Sequence, residues 1–310
     1  MMEKITYYCS WDNSMHEAMI RRASAPGKPL AVTLHTWGGT VDQDCSAYIE
    51  QYDKLDWNMI YPDFRGPNRT PLACGSDAVV SDIADAVKYA VREFEVDTSR
   101  IYLIGGSGGG HLSLLLARRM PDLWAAVSAW CPIFDIALWH DDCLKDARFA
   151  GYSADIEAVL GGNPAKKEFH DQALYRSAAG WEPTDIPLDI SAGIHDGHTG
   201  SVPVYHSIRA FNTIAAEKDR ISEEDIDFIV KNEAIPLALQ SKEEYPLWGG
   251  RKIHFRRVSG NVRLTIFEGG HDLFPSAGTN WLSLQSAGKK AKWHDADNIQ
   301  CETAATGLQG

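Results

Sequence analysis

Ser107 stands in the run Ile101-Tyr102-Leu103-Ile104-Gly105-Gly106-Ser107-Gly108-Gly109-Gly110-His111. Gly105 to Gly109 fits the pattern G-x-S-x-G, with an apolar strand-like run before it and a helical pattern after it. A serine on so sharp a strand-to-helix turn needs small neighbours two positions to either side, because larger side chains would collide. The turn lifts Oγ clear of the sheet edge. It also aims the helix N-terminus and the Gly108 N–H at the oxygen of an attacked carbonyl. The chemistry this supports is nucleophilic acyl transfer. A glycine turn before a helix can instead cradle phosphate. A P-loop requires Lys followed by Ser or Thr, and neither follows here. A dinucleotide fingerprint belongs near the first strand, with an acid ~20 residues on, whereas this motif follows about four strands.

Serine is a weak nucleophile without a base, and the base needs an acid to orient it. Three histidines near the C-terminus could serve: His254, His271 and His294. His271 lies in Phe267-Glu268-Gly269-Gly270-His271-Asp272, a glycine-loosened loop after a strand pattern and ahead of a helix candidate at Pro275. His254 falls in a basic strand-like run and His294 in the polar tail, so His271 is the expected base. The acid is expected after the preceding strand, where Ile194-His195-Asp196-Gly197 gives Asp196. Asp189 sits within that strand, Asp185 before it, and Asp272 too close to the base to fold back on its ring. His195 and His198 flank Asp196, but three ligands in four loop residues without a second cluster make a poor metal site. No metal or cofactor is expected, and His198 is a candidate substrate contact. The second oxyanion donor is expected from His35-Thr36-Trp37-Gly38-Gly39 after the third strand, as the Trp37 N–H. The Trp37 indole would then line the acyl pocket.

These residues need a scaffold of buried strands alternating with helices. Ile5–Cys9 and Met15–Arg21 alternate around a polar turn at Ser10-Trp11-Asp12-Asn13 and read as an antiparallel hairpin. Leu30–Leu34 and Asn58–Pro62 read as strands, followed by a Gly/Pro/Arg-rich loop from Asp63 to Gly75. Val79, Ile83, Ala86, Val87, Ala90, Val91 and Phe94 recur at helical spacing across Ser76–Phe94. Arg100–Ile104 is the next strand, His111–Met120 a helix, and Trp124–Ala129, Leu188–Gly193 and Arg263–Phe267 further strands. The alternation predicts a mainly parallel, twisted sheet covered on both faces. Residues 1–290 are expected to form one domain. Within it, 132–187 is an aromatic cap-like insertion and 216–250 a charged insertion with a helix around Glu223–Lys231. Residues 291–310 form a polar tail.

The formal net charge of −12 and the lack of a basic run disfavour nucleic acid and anionic membrane surfaces. No apolar stretch approaches the ~20 residues that span a bilayer. Met1 to Ser10 lacks the apolar core of a leader peptide, so a cytoplasmic chain is expected, or a secreted one where a leader has been removed. The six cysteines, Cys9, Cys45, Cys74, Cys131, Cys143 and Cys301, show no CxxC pair and are expected to be mostly free and buried. The composition leaves the oligomeric state open.

Four stretches, taken in order, resemble the prolyl oligopeptidase-like branch of the α/β-hydrolases. They are Leu34 to Gly39, Gly105 to Gly109 with His111, Gly193-Ile194-His195-Asp196 with Val202-Pro203, and Glu268 to His271. The chain departs from the branch at Thr36, where a glycine is usual, and in a longer spacing between Asp196 and Val202-Pro203. The resemblance implies an α/β-hydrolase fold and a Ser107-His271-Asp196 triad. It also implies a serine hydrolase without the gatekeeping propeller of the oligopeptidases, similar to acetyl-xylan and feruloyl esterases. Ten tryptophans are many. Trp37, Trp139 and Trp181 fall near loops expected above the sheet and are candidate platforms for a sugar. The expected ligand is a small-molecule or carbohydrate ester, with a peptide as the alternative.

Overall fold

The computed structural model describes residues 2–240 and 248–293. Most of the predicted tail, with His294 and Cys301, lies outside the described residues, as does part of the 216–250 insertion. The chain builds a nine-stranded sheet in the order β1-β2-β4-β3-β5-β6-β7-β9-β8. The strands are β1 (Glu3–Cys9), β2 (Ser14–Arg21), β3 (Leu30–Leu34), β4 (Asn58–Pro62), β5 (Ile101–Gly106), β6 (Ala126–Trp130), β7 (Leu188–Gly193), β8 (Ile253–Ser259) and β9 (Val262–Phe267). From β4 to β9 the pairings are parallel, and the hairpin β1–β2 and strand β8 add antiparallel edges. The parallel strands are buried along their whole length, which explains their mostly apolar runs, broken in β7 and β9 by the mutually paired Asp189 and Arg263.

Helices cover both faces. They are α1 (Ser46–Leu55), α2 (Asp77–Phe94), α3 (Gly108–Arg119), α4 (Ile136–Leu144), α5 (Ala150–Leu160), α6 (Lys167–Tyr175), α7 (Tyr205–Ile214), α8 (Glu223–Asn232) and α9 (Pro275–Leu282). One core joins the sheet to α2, α3, α7 and α8 through Val79, Ile83, Leu112, Ile208 and Ile226. A second joins the opposite face to α1 and α9 through Tyr52 and Trp281. A third, built on Trp37, Trp139, Ile156 and Ala173, holds α4, α5 and α6 of the 132–187 segment. Among the described residues, no helix is long and apolar enough to cross a membrane. Cys9, Cys45, Cys74, Cys131 and Cys143 are free and buried.

The α/β-hydrolase class expected from the sequence is the class observed, with differences at element ends. The turn expected across Gly105–Gly110 is confined to Ser107: β5 runs through Gly106 and α3 begins at Gly108. Two elements escape the sequence reading, α1 and α7, and β8 is met there only as the basic strand-like run around His254. Strand β8 carries Arg256 and Arg257 on an edge where alternate residues face solvent, so its charges mask its pattern.

Asp189 is paired bidentately with Arg263 across β7 and β9, both contacts 2.8 Å and both side chains about 1% exposed. Asp189→Ala removes the bidentate carboxylate contact from this buried guanidinium. It is expected to cost about 3–5 kcal/mol in urea unfolding, with Asp189→Leu/Arg263→Met recovering most of the loss.

Candidate active site

Ser107 takes φ 57° and ψ −121°, a conformation that L residues rarely hold and that persists only when its surroundings enforce it. Its N–H donates to Trp130 O at 2.9 Å, and its carbonyl accepts from His111 N at 2.8 Å as α3 begins. The flanking glycines are required by contact. A methyl on Gly105 would meet the Gly109 carbonyl at 2.5 Å. A methyl on Gly108 would collide with Trp37 N and Cα, so the Gly108 backbone lies directly against the Trp37 amide. Thr36, the departure from the usual glycine, needs no left-handed backbone. Its N and Oγ1 both donate to Gln43 Oε1, at 3.0 and 3.1 Å, which pins the loop.

His271 Nδ1 lies 2.7 Å from Asp196 Oδ2. Asp196 Oδ1 accepts from the N–H groups of Gly197, at 3.1 Å, and Val202, at 3.3 Å. The lengthened segment to Val202-Pro203 thus wraps back to hold the carboxylate. His271 Nε2 is buried with no hydrogen-bond partner among the described residues, while Ser107 and His271 line the same cleft. Burial pulls the His271 imidazole down, but the Asp196 charge and hydrogen bond, aided by Asp272, outweigh it and hold the group above 6.5. Burial, then the Asp196 charge, pushes the neighbouring Cys131 thiol well above its ordinary value, so it stays protonated.

Asp196 and His271 sit on loops that are bolted together. His195 N donates to Gly269 O at 2.9 Å. The His195 ring contacts Glu233 through Nδ1 at 2.6 Å and Glu268 through Nε2 at 2.8 Å, and His254 Nε2 reaches the other Glu268 oxygen at 2.7 Å. Partial burial lowers His195, but the two carboxylate hydrogen bonds outweigh it and raise its pKa.

The cleft, about 570 Å³, is lined by Thr36, Trp37, Arg69, Ser107, Arg148, Phe149, Gly151, Tyr152, Asp155, Thr199, Gly200, Ser201 and His271. Trp37 donates its indole N–H to Asp155 Oδ2 at 3.2 Å, and Arg69 Nε reaches the same oxygen at 3.3 Å. Trp139 is fully buried behind Trp37, ring centroids 4.8 Å apart, with its N–H on Ser201 O. It supports the wall rather than forming it. Two expected contacts lie elsewhere. Trp181 packs on Arg119, 4.7 Å from its ring, and donates to Tyr175 O, because Arg119 at the end of α3 captures the indole. His198 turns its Nε2 to Val230 O at 2.7 Å, since α8 covers that side of the loop. The sequence reading missed Arg69, Arg148, Tyr152 and Asp155, which come from three separate loops and helices without a motif.

Two groups of three ligand-type side chains lie close together among the described residues: Cys9-His16-Asp82 and Cys131-Asp196-His271. Asp82 is already gripped by Arg65, at 2.5 and 2.9 Å, and Asp196 by His271, so neither offers a free carboxylate.

Residues 75–223 match the prolyl oligopeptidase family. The chain has an α/β-hydrolase fold, and its central part is similar to the prolyl oligopeptidase-like branch. It is 27% identical over 139 residues to a probable acetylxylan esterase A of Aspergillus clavatus, covering 39% of this chain and 44% of that one. It is 31% identical over 109 residues to a feruloyl esterase B of Thermothelomyces thermophilus, covering 32% and 37%. The matches thus span less than half the length of these relatives. Among solved structures it resembles a puromycin-hydrolyzing peptidase of Mycobacterium tuberculosis, with TM-score 0.61, 15% identity, and 92% of this chain on 40% of that one. It also resembles the Pyrococcus horikoshii acylaminoacyl peptidase, with TM-score 0.55, 15% identity, and 87% on 37%.

A raised His271 value places its loss of neutrality above 6.5, so kcat/KM for an ester is expected to fall on acidification with a midpoint above that value. For His195 the folded value is the raised one. Its contribution to stability is therefore complete below its unfolded value and lost as pH climbs through the folded one. His195→Gln should lower Tm more at about pH 6 than at about pH 9, and equal losses would contradict the charged clamp.

Proposed function

We propose that the chain is a serine ester hydrolase that removes acetyl or feruloyl groups from carbohydrate esters such as acetylated xylan, through an acyl-enzyme on Ser107. The observation that carries the proposal is the buried, unpartnered His271 Nε2 in the cleft of Ser107, with its opposite nitrogen 2.7 Å from Asp196. His271 takes the Ser107 proton as Oγ attacks the ester carbonyl, then returns it to the leaving alcohol. In the second half, His271 deprotonates water, which attacks the acyl carbonyl; the bond to Ser107 Oγ then breaks, Oγ takes the proton back from His271, and the acid leaves. Asp196 fixes the imidazole with Nδ1 protonated and stabilises the imidazolium. The adjoining N–H groups of Gly108 and Trp37 receive the oxyanion.

The ester reading draws on the cleft walls and on the relatives named acetylxylan and feruloyl esterases. Phe149 and Tyr152 offer apolar faces to an acyl group or sugar ring, while the Trp37 indole expected to line the pocket is buried and supports the wall. Asp155, the carboxylate in the lining, is engaged by Trp37 and Arg69, which leaves no free acid for the α-ammonium group of a peptide. The match to the prolyl oligopeptidase family favours a peptidase as the second reading.

Wild-type protein is expected to be labelled by a fluorophosphonate and Ser107→Ala is not. Gly108→Ala, which drives a methyl into Trp37 N, should lower kcat by roughly 10²–10³ or more. A panel of p-nitrophenyl acetate, acetylated xylan, methyl ferulate and aminoacyl p-nitroanilides separates the readings. Peptide or anilide turnover without ester turnover would overturn the esterase.

A further inference from the structure

A second cleft, about 450 Å³, lies beside the first; Trp11, Leu72, Asp77, Asp171, Gln172 and Tyr175 are in its lining. It opens on the sheet edge that carries Ser107. β2 pairs antiparallel to β4 with Ala18 opposite Pro62 at the C-terminal end of β4. The hairpin turn Ser10–Asn13 therefore projects over the same edge at which β5 ends in the Ser107 turn. The two clefts share one loop: Arg69 lines the first, and Pro71 and Leu72 line the second. Two residues of chain span at most about 7 Å, so the clefts are neighbours.

Trp11 is half exposed, with no ring partner or hydrogen bond among the described residues. Its backbone, by contrast, is fixed on both sides. Ser10 donates through N and Oγ to Asp85 Oδ2, at 2.7 and 2.6 Å. Asp12 accepts from Arg65 at 2.6 Å, and Arg65 holds the buried Asp82. Charge-assisted bonds thus present a large indole to solvent from a rigid turn. Tyr175, also exposed, is held by its hydroxyl on Asp77 Oδ1 at 2.7 Å. The two aromatic side chains offer large contact area at low cost in conformational entropy.

The charges in the lining identify the ligand class. Asp77 is paired with Arg119, Asp171 with Lys167, and Arg176 with the carbonyls of Pro71, Ala73 and Cys74. The two carboxylates are thus offset within the chain and the Arg176 guanidinium, still charged, is committed to backbone carbonyls, while the Gln172 amide is left to hydrogen-bond. A neutral polyol with an apolar face suits this lining better than an ionic peptide or anionic polymer.

We propose that this cleft is a second carbohydrate subsite. It takes an undecorated neutral sugar ring of the same polysaccharide whose ester reaches Ser107, with Trp11 as the stacking platform. This rests on the carbohydrate-ester reading above. The subsite holds the polymer and takes no part in the chemistry. It therefore lowers KM for a polymer and leaves small esters unaffected.

The test compares wild type, Trp11→Ala and Trp11→Phe. Trp11→Ala is expected to raise KM for acetylated xylan about 3- to 10-fold at unchanged kcat, with p-nitrophenyl acetate kinetics unaltered and Trp11→Phe restoring part of the loss. Calorimetric titration of Ser107→Ala with deacetylated xylo-oligosaccharides should show binding that Ser107→Ala/Trp11→Ala weakens by the same factor. Equal binding by the two proteins, or none by either, overturns the subsite. A monomer produced by Trp11→Ala from a wild-type dimer, with polymer kinetics unchanged, assigns the patch to self-association and also overturns it. Failure of acetylated xylan as a substrate, with p-nitrophenyl acetate turned over, overturns the substrate reading instead, and the titration then judges the subsite alone.

Discussion

The backbone of Ser107 is the constraint on which the proposed catalytic edge depends. A residue with φ 57° and ψ −121° joins a strand to a helix without an intervening loop, and this is possible only where neighbouring backbones approach almost to contact. Gly105 faces Gly109, Gly109 faces Leu34 and His35, and Gly108 faces Trp37. The same packing that forces the strain brings the β3 loop against the first turn of α3, so two backbone N–H groups converge beside the serine. A side chain at any of these glycines would separate the nucleophile from the groups proposed to stabilise its oxyanion.

The remaining two members of the proposed triad are positioned differently, by electrostatics across loops. Asp196 receives two backbone N–H groups in addition to His271, which fixes the direction of a buried carboxylate. The His195 ring joins Glu233 of the α8 region to Glu268 of the His271 loop. The charged 216–250 segment thus acts as a brace for the loops beneath it as well as a surface feature.

Legibility in the sequence followed the locality of the cause. The Ser107 turn could be read because steric rules act within five residues. Asp196 and His271 could be read because each follows a buried strand in a glycine-marked loop. Trp181 and His198 were plausible by position alone, and their partners Arg119 and Val230, distant in sequence, decided where they went. Arg69 and Asp155 meet only in the folded chain, 86 residues apart, and neither belongs to a recognisable spacing. Strand β8 showed only as a basic strand-like run without bounds, because an edge strand leaves charged residues partly exposed.

The central claim is covalent attachment of the acyl group to Ser107. Intact-mass spectrometry of wild-type protein, acid-quenched during turnover of a slowly released ester, tests it most directly. An adduct of the acyl group's mass is expected on the peptide containing Ser107, disappearing when the substrate is exhausted. Rapid turnover with the adduct on a different residue would contradict it.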